Sequence, residues 1–163
     1  MTGKADFTEE DWIRLKRGPF VAGMAISLAD PGGPIELVKE TAATVKAVQA
    51  AATSGEHGEL VTALAQDAVA DTKMRQNPLQ DFKPKGALAA QEILDELTAV
   101  NQLVSEKATP EEADAYRAWL KAAAQDAANA AKEGGFLGFH AERVSEGEQR
   151  MLHKLAEVLA PPA

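Results

Sequence analysis

The stretch TPEEADAYRAWLKAAAQDAANAAKEGG, residues 109–135, decides the fold. Thr109 is suited to cap a helix. Pro110 falls at the first helical position, where its missing N–H costs nothing, and Glu111 and Glu112 sit at the positive end of the helix dipole. Alanine then crowds the segment, with Tyr116 and Leu120 as the large apolar anchors, until Gly134-Gly135 ends it. Alanine is the best helix former and lets neighbouring backbones approach closely. The stretch therefore predicts a long, central helix.

Outward from this stretch the same rhythm recurs. Apolar residues return every three or four positions and β-branched runs are absent, which predicts helix throughout. Thr8, with Asp11 three residues on, opens a first helix, and Gly18-Pro19 is expected to break it. A second helix would run to about Leu28 and end at Asp30–Gly33, with Pro34 starting a third. In that third helix Val38, Thr41, Val45, Val48 and Ala52 form the expected core stripe. After the Ser54–Gly58 turn, a shorter helix carries Leu60, Val61, Leu64, Ala68 and Val69. Asp71–Pro84, broken by Pro78 and Pro84, reads as a loop whose Leu79 and Phe82 fold back onto the core. Ala90, Ile93, Leu97, Val100 and Val104 mark the next helix. Ser145 and Glu148 form a capping box for the last one, which buries Met151, Leu152, Leu155, Val158 and Leu159.

The expectation is an all-α protein, a single compact bundle of six or seven helices over residues 1–163. Glu9-Glu10 precedes Gly32-Gly33 by the spacing at which Glu111-Glu112 precedes Gly134-Gly135. Ala22, Ala25 and Ala29 also fall in register with Ala124, Ala127 and Ala131. This pattern is compatible with an internal repeat of 9–54 and 111–159 forming two pseudo-symmetric halves.

Composition narrows the chemistry. There is no cysteine, so disulfides, thiol catalysis and cysteine-ligated metals are excluded. A net charge of −8 disfavours nucleic acid as a partner, because phosphate would be repelled. The segment MTGKADFTEEDW lacks an apolar signal core, and no stretch approaches the ~20 apolar residues of a membrane span, so a cytoplasmic protein is expected. No cofactor motif is present, and none of His57, His140 and His153 sits in a recognisable hydrolase pattern. His153 is expected at the surface. Trp12 and Trp119 are expected as anchors at the core edge.

One loop gathers several chemical handles. Residues 134–143 combine three glycines with Phe136, Phe139, His140 and Arg143, and these four are the candidate binding residues. The competing reading makes Phe136 and Phe139 core plugs. His140, Glu142, Glu146 and Glu148 are candidate ligands for a hard cation, although helix capping and solvation also explain the acids. The same holds for the helix-face pairs Asp67/Asp71 and Glu92/Glu96.

Val144-Ser145-Glu146-Gly147-Glu148, followed by Met151-Leu152 and Leu155-Ala156, resembles the helix start of TerB-like domains. These are small, acidic, all-helical bacterial proteins of the tellurite-resistance type. The resemblance implies a duplicated helical core and a place in bacterial stress response. An Asp-Gly pair linked to metal binding usually precedes that motif in the family; Ala141-Glu142 stands there in this chain.

The absence of a catalytic constellation favours a non-enzymatic helical interaction module, binding a protein partner or a second copy. The alternatives are a carboxylate-based metal-binding protein and a small-molecule or lipid carrier with a cavity between its helices.

Overall fold

The computed structural model describes residues 2–30, 32–132 and 144–162. About four-fifths of them are helical, and no strand occurs among them. Six α-helices follow in order: α1 (Glu9–Ala29), α2 (Pro34–Ser54), α3 (Gly58–Lys73), α4 (Ala89–Lys107), α5 (Pro110–Lys132) and α6 (Glu146–Val158). Short 3₁₀ turns lie at Lys4–Asp6 and Gly86–Leu88. The bundle is all-α, as the periodicity predicts. α5 lies against α1, α2 and α3, and α4 and α6 pack on both α1 and α5.

The N-terminal signals act as read. The Thr8 hydroxyl accepts the Asp11 N–H at 3.1 Å, Thr109 and Glu112 cap each other's backbones, and Ser145 and Glu148 form the capping box of α6.

The Gly18-Pro19 break does not occur: α1 runs continuously through Pro19. Proline cannot donate to the Leu15 carbonyl one turn earlier, which normally destabilises a helix interior by about 3 kcal/mol. Here the Tyr116 hydroxyl of α5 donates to that carbonyl at 2.8 Å. Burial pushes the Tyr116 pKa well above its ordinary value, so the hydroxyl keeps its proton. Gly18 completes the arrangement, because a side chain there would collide with the Tyr116 oxygen. Pro19 thus frees an acceptor, Gly18 opens the path to it, and tyrosine fills both roles from the partner helix.

The expected stripe of α2 is also displaced. Glu40, Thr44, Val48, Ala51 and Ala52 are buried, whereas Val38 and Thr41 are exposed and Val45 is half-buried. α2 crosses α1 where Thr44 occupies the space a side chain at Gly23 would need. That close crossing, not the apolar periodicity, sets which face of α2 turns inward.

The remaining helices follow their patterns closely. α3 buries Leu60, Val61, Leu64, Ala65 and Ala68. α4 buries Ile93, Leu97, Val100 and Val104, with Ala89 taking the place expected for Ala90. Met151, Leu155 and Leu159 anchor α6 while Leu152 and Val158 are half-buried. Leu79 and Phe82 pack against the core from the connector between α3 and α4. Trp12 and Trp119, expected at the core edge, are both fully buried. The buried Arg117 of α5 donates to Asn101 of α4 at 2.6 Å, and Asn101 donates to the Val158 and Ala160 carbonyls at the end of α6. A single amide thus links three helices and satisfies carbonyls that α6 leaves open.

Candidate interaction surface

The loop read as the candidate site lies outside the described residues, and with it Phe136, Phe139, His140, Glu142 and Arg143. Two acids of the proposed ligand set are described, and they part company. Glu146 is exposed at the start of α6, and Glu148 is buried in the capping box. Among the described residues no group of three or more histidines and acids is placed to hold a metal ion. His153 is exposed, as expected, within reach of Glu157 at 3.4 Å.

The acid pairs on helix faces have structural partners. On α3, Asp67 accepts from Lys4 at 2.8 Å and from the Trp12 indole at 2.7 Å, and Asp71 pairs with Lys16. Burial would raise the Asp67 pKa, but the Lys4 and Trp12 hydrogen bonds outweigh it and lower it. Glu96 departs most from the solvated reading. It is buried between two arginines of α1, held bidentately by Arg14 at 3.1 and 2.9 Å and by Arg17 at 2.9 Å. Burial opposes its ionisation, yet the two guanidinium groups win and hold its pKa below the ordinary value. The Phe82 ring stacks over Arg17, with its centre 5.2 Å from the guanidinium carbon.

This ion triad floors an open cleft of about 850 Å³ between α1, α4 and the connector, lined also by Thr8, Glu9, Glu10, Ile13, Gln80 and Asp81. The connector reaches it through two non-glycine residues in left-handed backbone, Arg75 (φ 59°) and Gln80 (φ 53°). The Asn77 side chain and carbonyl fix that turn by accepting the Leu79 and Gln80 amides. Both arginines facing the cleft are tied to Glu96, and no histidine is among its described lining residues. The cleft is thus a strapped ion-pair site joining α1 to α4.

The more informative surface is at the other end of α1. Leu28, Ile35, Leu37 and Val38 are 43, 68, 52 and 68% exposed around the corner from α1 to α2. A sequence signal for this existed. Ile35 and Val38, three residues apart, share a face of α2 and Leu37 lies off it, so a single core-facing stripe does not hold all three. Asp30 is exposed at this corner and Glu36 is half-exposed. The exposed Glu146 approaches from α6, whose Gly147 comes so near the end of α1 that a side chain there would lie 2.6 Å from the Ala29 carbonyl oxygen. The corner thus exposes apolar side chains beside the acids Asp30, Glu36 and Glu146, with Lys39 half-exposed next to Val38.

No protein-family model matches this chain, and neither the curated proteins nor the solved structures provide a match. Among the described residues no helix is long and apolar enough to cross a membrane.

Proposed function

We propose that this chain is a non-enzymatic helical interaction module whose α1–α2 corner receives a protein partner. The exposure of Leu28, Ile35, Leu37 and Val38 carries this reading. Clustered apolar surface rimmed by polar groups is a mark of interaction sites, because leaving it in water is unfavourable. The rim of Asp30, Glu36 and Glu146, on a chain of net charge −8, selects the chemistry of the partner. It is a segment with apolar anchors flanked by lysine or arginine, steered in by the acidic field. The TerB-like resemblance of residues 144–156 supports a setting in a bacterial stress-response assembly.

The test is an Ile35→Glu/Val38→Glu double variant, which should fold normally because both positions are exposed. Cross-linking in cells should join wild type to a partner through an apolar, basic-flanked segment, and the variant should lose that cross-link at unchanged melting temperature. Identical cross-links in both proteins would overturn the proposal. So would a wild type whose corner cross-links to a second copy of itself, since that surface is acidic.

A further inference from the structure

Beneath this corner lies a buried carboxyl that neither the ion triad nor the proposed docking uses. Glu40 of α2 is 2% exposed. Among the described residues its side-chain hydrogen-bond partner is the Ser27 hydroxyl of α1. One turn on, the Thr44 hydroxyl donates to the Glu40 main-chain carbonyl at 3.0 Å, and Thr44 itself fills the gap left by Gly23. The two helices therefore cross closely here.

Among the described residues, the charged groups with the largest influence on Glu40 are acids: Glu148 from α6, Asp30 just past α1, and Glu36 one turn earlier on its own helix. Among the described side chains in the C-terminal half of α5, which also packs on α2, Ala123, Ala124, Ala127 and Ala128 are buried, while Lys121 and Asp126 are exposed. α3 turns Asp67 and Asp71 away, toward Lys4 and Lys16. Burial raises the Glu40 pKa above its ordinary value. The Ser27 hydrogen bond opposes this, and Glu148, Asp30 and Glu36 reinforce it. Glu148 is itself buried, its carboxylate accepting the Ser145 N–H at 2.9 Å to start α6.

We propose that Glu40, buried where α2 packs on α1, is a proton-sensitive latch. Protonated, it holds the first turns of α2 against α1; ionised, it releases them. A buried carboxylate with acids as its charged neighbours and a hydroxyl as its donor is costly. The least disruptive relief is outward movement of the turns that begin at Pro34, since the α1–α2 crossing below them is locked by Thr44 against Gly23. Those turns carry Ile35, Leu37 and Val38, so the latch sets how the apolar corner is presented. It operates with or without a partner on that corner. The sign follows from the raised pKa. The stabilisation is fully present below the ordinary carboxyl value of 4.5 and is lost as pH rises through the higher value in the folded protein.

Carbon-13 NMR of the glutamate carboxyls in the full chain, combined with amide exchange from pH 4 to 8, tests this directly. Glu40 should titrate above 4.5. Protection of the amides at 36–44, corrected for intrinsic exchange, should fall at least about tenfold through the same midpoint. Glu40→Gln should stay protected across the range. Ser27→Ala, which only removes the hydroxyl donor, should move the midpoint upward. Protection in the wild type that does not follow the Glu40 titration would overturn the latch. So would an equal loss in Glu40→Gln, or an unmoved midpoint in Ser27→Ala. Such results would leave the docking proposal standing, because no partner enters the measurement.

Discussion

Replacing Tyr116 by phenylalanine removes one oxygen atom from the centre of the bundle and leaves its shape unchanged. That oxygen donates to the Leu15 carbonyl, which lost its helical donor to Pro19. Leu15 and Tyr116 are fully buried, so no water replaces the hydroxyl. An unsatisfied buried carbonyl costs about 1–3 kcal/mol. In a domain of this length that lowers Tm by roughly 2–10 °C. The cost should depend on residue 19. Pro19→Ala restores an N–H aimed at Leu15, so in that background Tyr116→Phe should cost less than about 0.5 kcal/mol, a coupling of at least ~1 kcal/mol between residues far apart in sequence. Urea unfolding of the wild type, both single variants and the double variant measures the cycle. Equal costs of Tyr116→Phe in both backgrounds would show that the hydroxyl does not stand in for the missing proline donor.

Three further outcomes follow from the same geometry. Gly18→Ala should destabilise by about 1–3 kcal/mol through overpacking against the Tyr116 oxygen, and by much less in a Tyr116→Phe background; equal losses would place the collision elsewhere. Glu96→Gln leaves Arg14 and Arg17 without their shared carboxylate and should cost about 2–4 kcal/mol at pH 7, reduced from the fully buried case because Arg14 is partly exposed. The depressed Glu96 pKa adds a pH signature: its contribution is complete above 4.5 and disappears as pH falls through the lower folded value, so acid titration of stability should be shallower in Glu96→Gln. Asn101→Ala removes the donor to the Val158 and Ala160 carbonyls and should cost about 1–3 kcal/mol, with the largest rise in amide exchange at the end of α6; a rise confined to α4 would refute the link.

Much of this architecture was legible in the residues, because helix starts and stripes are local properties. Thr8, Thr109 and Ser145 cap backbone groups within three residues of themselves, and the stripes of α4 and α6 repeat within one turn. Such signals need no knowledge of neighbours. The all-helical class and the solvent position of His153 follow from them. The candidate loop from Phe136 to Arg143 falls outside the described residues, and the proposed docking corner rests on the exposure seen in the structure.

What tertiary structure alone decided depends on partners distant in sequence. Proline at position 19 is a break by local rules. It becomes part of a continuous helix because its acceptor is served by a tyrosine 101 residues away. Glu96 reads as a solvated acid until α1 brings Arg14 and Arg17 beside it. Val38, expected in the core stripe, is exposed while Glu40 is buried, because α2 is oriented by Thr44 meeting Gly23. Apolar periodicity reports how much surface a helix offers for burial, whereas the face actually buried is settled by where two backbones can come closest.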